Sequence, residues 1–431
     1  MSIEVTRKQH AVGQGFFHTG ELRRDGVSCL RYVVDCGAMS KYAKARDERI
    51  ARYIEFVGAK NEVDLLFISH AHADHLNGIP RLLDKKTGLR VGTVVMPFME
   101  VNDRLMAFAR AAVEDAPSSE DTYFRDYVAD PVSAVAQFDP GRILLVRAGN
   151  RGDGAPFSNP DVEPQPADDP GPAPGNAESR RAWKLLGRGH PSTELSVRGG
   201  TSRVATIPDT LGFVSASPSG AVEWLLAPFV DPSIAVQKAT FINALASAMG
   251  KTPPALRSWL RRKANVEKLL TAHVPDLRAA YETVERDLNV TSMCLYSGPA
   301  QRANAAQKRR LRGSFGTWNF EGDTDDNCAW MGTADAALKD KKRRGTFLGH
   351  YDRLLDQVAT LTLPHHGSDH NFHPELLTRI QPAFCVAAAD QFGVWRHPGS
   401  RVTQWVATWG KFLSVVTSGT RSEVFERVQL P

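Results

Sequence analysis

Cysteine is scarce in this sequence and follows no pattern. Five occur in 431 residues: Cys29, Cys36, Cys294, Cys328 and Cys385. The number is odd, the spacings are irregular and no Cys-x-x-Cys is present, which excludes a disulfide frame; all but Cys328 lie in apolar runs and read as buried thiols of a reducing compartment. Long apolar runs are lacking too. None approaches a membrane span, and Met1-Ser2-Ile3-Glu4-Val5-Thr6-Arg7 holds no apolar signal core. The expectation is a soluble, cytoplasmic protein with no membrane partner. Charge of one sign is also missing: 53 basic against 48 acidic residues leave a net +5. That excess does not by itself mark a nucleic-acid binder, so local clusters must decide. What remains is 42% apolar and 23% charged residues, a globular composition with length for one large or two ordinary domains.

Against this plain background one stretch stands out, His70-Ala71-His72-Ala73-Asp74-His75-Leu76-Asn77-Gly78. It follows Val63-Asp64-Leu65-Leu66-Phe67-Ile68-Ser69, an apolar run that reads as a buried strand. His70 and His72, two apart, project to one side of a bend, while Asp74 and His75 turn toward a second position. Three neutral imidazoles and a carboxylate suit a borderline cation such as zinc.

The rest of the chain alternates strand and helix patterns, an α/β arrangement. Residues 1–40 read as a hairpin whose second strand ends in Asp35-Cys36-Gly37, where Asp35 either orients a metal-bound histidine or is an ordinary turn aspartate. Helical spacing covers 41–59, 101–115 and 120–136, and strand-like runs cover 91–97 and 142–146. From Arg151 to Ser179 large apolar residues almost vanish, which predicts an exposed loop. Short strand pieces cover 181–216, and Ala221 to Pro228 is again a strand. Residues 232–288 are helical, with Val266, Leu269, Leu270, Val274, Leu277, Tyr281 and Val284 in register. Further strands follow at 291–297, 328–335, 359–364, 383–389 and 412–416.

Several strand ends present ligand-type residues: His70 to His75, Asp335, and His365-His366, with His397 in a later loop. Two ions about 3.5–4 Å apart need such a convergent set with a bridging carboxylate. His70 and His72 would hold one metal, Asp74 and His75 the other, Asp335 would bridge, and His366 (or His365 in its place) would complete the shell. A bridging hydroxide would then be the nucleophile, since the pKa of a bound water falls toward about 7. Two basic runs flank Asp335 in sequence: Arg302, Lys308, Arg309, Arg310 and Arg312, then Lys339, Lys341, Lys342, Arg343 and Arg344. They offer a rim for a polyanion, and Trp318 and Phe320 offer rings to stack on bases.

These pieces resemble the metallo-β-lactamase-fold hydrolases, and within them the soluble hydrolase domain of the ComEC-type competence proteins. Val12-Gly13-Gln14-Gly15 matches the opening V-G-Q-G, Val34-Asp35-Cys36-Gly37 the D-x-G strand end, and His70 to His75 the H-x-H-x-D-H motif. Asn289 to Leu295 resembles the N-x-S strand, and Thr333-Ala334-Asp335 stands for T-G-D. Pro364-His365-His366-Gly367-Ser368 matches P-H-H-G-S, and Arg396-His397-Pro398 resembles G-H-P. The chain departs from the pattern at Phe16, where the family has an acidic residue, and at Ala334. It also has no counterpart of the separate histidine between the first motif and the bridging aspartate: His190 and His273 sit at no strand end.

The resemblance implies a four-layer αββα sandwich forming a single domain over 1–431, with an irregular loop insertion at 150–213 and a helical lid or cap at 232–288. It implies two divalent ions, zinc or alternatively manganese, and hydrolysis of a phosphodiester in DNA or RNA. Asp74 and His397 are the expected catalytic residues, His397 by protonating the leaving group or touching phosphate. The alternatives are a hydrolase of a small ester, thioester, lactam or cyclic nucleotide, and a metal-stabilised scaffold protein.

Overall fold

A computed structural model of the chain describes residues 2–58, 62–159, 163–167, 183–197, 200–216, 222–232, 235–284, 291–300, 308–313, 316–321 and 327–430. Two large sheets face each other. The first contains Ile3–Gln9, Gly15–Arg24, Val27–Ala38, Glu62–Phe67, Arg90–Pro97, Arg142–Arg147 and Arg203–Pro208 side by side, and on its far edge Val424–Leu430, Lys308–Gly313 and Gly316–Glu321. The second runs from Phe412–Val416 through Phe384–Ala388, Val358–Thr362, Ala329–Gly332, Ser292–Pro299, Val222–Asp231, Leu211–Ala216 and Lys184–Gly187.

Alternation along the strands builds three apolar layers. In Glu62–Phe67, Leu65 and Phe67 point between the sheets, to meet Phe213, Trp224, Leu226 and Trp330 of the second sheet. Leu66 points the other way, into a layer shared with the helices Ala43–Val57, Val101–Glu114, Thr122–Ala129 and Ala235–Ala248. A strand buried on both faces needs an apolar residue at nearly every position, which is why this run shows no polar alternation. On the outer face of the second sheet Phe347, Tyr351, Leu376, Ile380, Val402 and Val406 of the helices Lys341–Tyr351, Glu375–Ile380 and Ser400–Thr408 form the third layer. The order is helix, sheet, sheet, helix, the four-layer αββα sandwich expected.

The central strands of both sheets are parallel. Val27–Ala38, Glu62–Phe67, Arg90–Pro97 and Arg142–Arg147 run together in the first, and Ala329–Gly332, Val358–Thr362 and Phe384–Ala388 in the second. The ligand motifs at His70 to His75, Asp335 and His365-His366 therefore leave from the carboxyl ends of parallel strands, where crossover connections leave a crevice.

Several local readings are revised. The strand at Phe412–Val416 does not close the chain: Val424–Leu430 follows and pairs antiparallel with Ile3–Gln9. The second basic run starts a helix, Lys341–Tyr351, capped by the Asp340 carboxylate, which accepts from the Arg343 backbone N–H at 2.9 Å. The 150–213 span is not irregular throughout. Arg203–Pro208 adds a parallel strand to the first sheet and Lys184–Gly187 a strand to the second. Within the expected exposed loop, Arg151 donates to Asp209 at 2.9 Å and to the Val230 carbonyl at 2.8 Å, and Ala155 is buried. Residues 160–162 and 168–182 of that loop lie outside the described residues.

The helices of 232–288 join the outer layer of the first sheet. Phe241, Leu245, Leu269, Leu277 and Tyr281 pack in the same apolar layer as Leu105 and Phe108 of Val101–Glu114. Among the described residues no helix is long and apolar enough to cross a membrane.

Candidate metal centre

His70, His72, Asp74, His75, Asp335, His365 and His366 are all buried and converge. Four come from the turn after Glu62–Phe67, Asp335 from the turn after Ala329–Gly332, and the histidine pair from the turn after Val358–Thr362. Two sets of ligand atoms gather within 4.8 Å of one another: His70, His75 and Asp335 in one, Asp74, His75 and His366 in the other.

The backbone is bent to achieve this. Asp35, Ala334, His365 and His366 all adopt left-handed φ, at 54°, 45°, 48° and 56°. Such values cost a residue with a Cβ about 1–2 kcal/mol and cluster at functional sites. Ala334 fills the position that the resembled T-G-D motif gives to glycine, and its φ shows why glycine suits it. The paired left-handed turns let neighbouring histidines diverge: His366 Nε2 faces Asp74 Oδ2 at 3.3 Å, while His365 Nε2 faces Asp335 Oδ2 at 3.4 Å. Gly37 serves the same centre. A Cβ there would lie 2.5 Å from the Asp74 carbonyl carbon, so only glycine lets that backbone come so close.

Three of the imidazoles are oriented by Nδ1 and present Nε2. His75 Nδ1–H donates to Asp35 Oδ2 at 2.7 Å. His70 Nδ1–H donates to Ser69 Oγ at 2.8 Å, and Ser69 in turn donates to the same Asp35 oxygen at 2.6 Å. His366 Nδ1–H donates to the Ala388 carbonyl at 2.7 Å. This leaves His70 Nε2 and His75 Nε2 aimed at Asp335, at 3.4 and 3.9 Å, with His72 Nδ1 also 3.4 Å from it. Asp35, an ordinary turn aspartate on one reading of the sequence, anchors two rings.

These contacts test whether a cation fits. His75 Nε2 and His72 Nε2 are buried with no hydrogen-bond partner among the described residues, which is costly unless something else satisfies them. Contacts near 3.4 Å between neighbouring donors are also the edge of a tetrahedron with bonds of about 2.0–2.1 Å. The residues fit a metal ion. Protonation points the same way. Burial alone would lower the His75 pKa, but the Asp74, Asp35 and Asp335 carboxylates raise it to about 9. Despite burial, the surrounding histidines hold Asp74 and Asp335 well below the usual carboxylate range. The site thus holds anionic oxygens and calls for a cation.

The structure adds a residue that the motifs do not contain. Arg110, in the helix Val101–Glu114, is 6% exposed and enters the cleft from the first outer layer. Its Nε donates to Glu114 at 2.7 Å and one terminal nitrogen donates to His365 Nε2 at 2.8 Å. The other, Nη1, lies 4.0 Å from Asp335 and has no hydrogen-bond partner among the described residues. The guanidinium also sits over the Trp395 ring at 5.7 Å. His365 is fixed from behind by Asn371, whose amide oxygen accepts from Nδ1–H at 3.0 Å. An arginine inside the otherwise apolar run Leu105 to Val113, four residues before Glu114, was the available signal.

Phe16, standing where the resembled family has an acid, stacks on His75 at 5.9 Å and 5°. His397 is half-buried, with its ring 5.9 Å from His365 and 6.4 Å from His366. Burial, then His366 and Arg110, lower its pKa to about 4. His273 is remote in role: it pairs with Asp276 at 2.9 Å within its own helical segment. Beside the ligands lies a cleft of about 20 Å³, lined by His72, Asp74, Arg110, Asp335, His366 and Trp395.

The basic runs contribute less than their sequence suggests. Arg343 is tied to Asp231 at 2.6 Å and Arg344 to Glu375 at 2.7 Å. The strand Lys308–Gly313 lies four strands away from Glu62–Phe67 in the first sheet, counting those between. Arg302 and the side chains of Lys308, Arg309, Trp318 and Phe320 lie outside the described residues, as does Asn289.

Fold and site together define an αββα protein with a buried centre of histidines and carboxylates suited to metal. No family model matches the chain. No curated protein matches it either. Among solved structures it is similar to the metallo-beta-lactamase fold protein YhfI from Bacillus subtilis, at 9% identity and a TM-score of 0.36, over 98% of this chain and 99% of that one.

Proposed function

We propose that the protein is a dinuclear metal-dependent hydrolase of phosphodiesters, with DNA or RNA as the substrate class. The observation that carries the substrate reading is Arg110. A buried guanidinium with one unpartnered N–H group, beside a ligand set already rich in carboxylate, serves an additional anion. A phosphate oxygen at the mouth of the cleft would satisfy Nη1. Lys341 and Lys342, exposed and without an ion pair among the described residues, add positive charge to the second sheet's outer helix.

His70, His72 and Asp335, with His365 beside them, would hold one ion; Asp74, His75 and His366 the other, with Asp335 between. Zinc suits this nitrogen-rich set, and manganese is the second choice. When bound, the ions supply Lewis acidity and lower the pKa of a bound water to about 7. The chain's own residues supply the rest. Asp35 and Ser69 hold the imidazole tautomers, Asp74 accepts charge from the site, and Arg110 grips the non-reacting phosphate oxygens. His397, neutral at pH 7, fits a hydrogen bond to phosphate better than delivery of a proton. The helices of 232–288 act as a buttress behind Val101–Glu114 and so set where Arg110 points.

The test is hydrolysis of single-stranded DNA, RNA and bis(4-nitrophenyl) phosphate by the protein reconstituted with zinc or manganese, with Asp74→Ala as control. Cleavage lost in the variant supports the reading. Turnover of a thioester or lactam alone would replace it with a small-ester hydrolase, and no turnover with metal retained would leave a scaffold.

A further inference from the structure

A second cavity lies against the first sheet, away from the metal centre. A cleft of about 230 Å³ opens on the outer face of that sheet, against about 20 Å³ at the histidines. It lies where Ile3–Gln9, Gly15–Arg24 and Val424–Leu430 emerge from beneath the helix Ala43–Val57, and it shares no lining residue with the metal cleft.

Its walls are apolar and its edge is cationic. Tyr53, Val57 and Phe425 line the interior, and Phe56, also on the wall, is 70% exposed. A large apolar side chain left in water beside an open apolar cleft gains from a ligand that covers it. Around it the cations outnumber their partners. The Glu423 carboxylate faces Lys8 at 2.7 Å and Arg49 at 3.6 Å, with His10 at 3.9 Å. Glu21 faces both Arg23 and Arg31 at 2.9 Å. Arg52 lines the cleft, is exposed, and has no carboxylate partner among the described residues.

Arg49 is the second, independent sign. Its side chain is 2% exposed, and its Nε and Nη1 have no hydrogen-bond partner among the described residues. Among the described residues its ion-pair partners are Glu423 and, for Nη2, Glu48 at 3.4 Å. Buried guanidinium donors are normally satisfied. Here two are left on the wall of a cavity whose body is apolar.

We infer that this cleft is a second ligand site, for an amphipathic organic anion whose flat apolar body lies against Tyr53, Phe56 and Phe425 and whose charged group is taken by Arg49 and Arg52. Its volume approaches the roughly 300–1,000 Å³ of small-molecule pockets, which suits a body of two fused rings or a short acyl chain. The inference is independent of what the metal centre hydrolyses.

The experiment is calorimetric titration of the full chain with naphthalene-1-sulfonate and, separately, with the neutral 1-naphthalenemethanol. The expected result is saturable one-to-one binding of the sulfonate, at least tenfold tighter than the alcohol. Arg52→Gln should weaken the sulfonate at least fivefold and leave the alcohol unchanged. Thr6→Trp, which adds bulk on the cleft wall from an outward strand position, should abolish both. Asp335→Asn, in the metal centre, should alter neither. Unchanged circular dichroism and thermal midpoints show that the variants fold. No saturable sulfonate binding, equal affinity for both probes, or binding untouched by Arg52→Gln and Thr6→Trp would overturn the inference.

Discussion

Asp35 Oδ2 accepts hydrogen bonds from His75 Nδ1–H at 2.7 Å and from the Ser69 hydroxyl at 2.6 Å, and through Ser69 it also fixes His70. One carboxylate behind the centre thus sets two rings that would bind different ions. Asp35→Asn should therefore weaken zinc binding by about 10–100-fold, read by competition with a chromogenic chelator. Unchanged affinity would mean that the rings are held by packing alone.

Arg110 lends itself to a kinetic test. Charge-assisted hydrogen bonds contribute about 1.5–3 kcal/mol, so Arg110→Gln should raise KM for bis(4-nitrophenyl) phosphate by roughly tenfold or more while metal content stays unchanged. Arg110→Lys should recover only part, since a point charge cannot reproduce the planar fork reaching both Glu114 and His365. A fall in kcat alone, with KM constant, would place Arg110 outside substrate binding.

Ala334 should be improvable. Its φ of 45° lies in the left-handed region, where a Cβ costs about 1 kcal/mol or slightly more. Ala334→Gly should raise the unfolding free energy by about 1 kcal/mol, less what glycine loses in the unfolded chain, with metal affinity retained. Urea unfolding compares the two chains directly.

A pH dependence is expected away from the centre. Burial pushes the His350 pKa down to about 4, with its ring against the Pro228 carbonyl at 3.1 Å. A histidine depressed in the folded state favours folding fully above the unfolded value of about 6.5. Stability is lost as pH falls from there toward 4, because the unfolded chain takes up the proton first. The loss is on the order of 3 kcal/mol. His350→Gln should flatten the dependence of the urea midpoint between pH 6.5 and 4; an unaltered slope would assign it to other groups.

The H-x-H-x-D-H and P-H-H-G-S motifs were legible because metal ligation needs particular side chains at fixed spacing after a strand, and those survive in a linear reading. The unbroken apolar run Leu65-Leu66-Phe67-Ile68 likewise told of a buried strand, and in the fold Leu65 and Phe67 join one layer and Leu66 the other. What stayed hidden depends on distance in sequence. Arg110 reaches His365 across 255 residues, and nothing local announces such a pairing beyond a charge on an inward helix face. Val424–Leu430 was missed because its alternating Glu426 and Arg427 look like a polar tail; in the fold Glu426 turns inward to meet Arg7 at 2.8 Å. The basic runs misled for the opposite reason. A charge cluster shows in sequence, but its partners, such as Asp231 for Arg343, do not.

Metal content measured together with turnover tests the centre most directly. The protein is equilibrated with zinc or manganese, freed of unbound ions, and assayed for metal per chain and for hydrolysis of bis(4-nitrophenyl) phosphate, beside Asp335→Asn. Two ions per wild-type chain, hydrolysis that is lost with chelator and restored with metal, and fewer ions with no turnover in the variant are expected. A chain that retains no stoichiometric metal, or that retains two ions and cleaves no phosphodiester, would contradict the assignment.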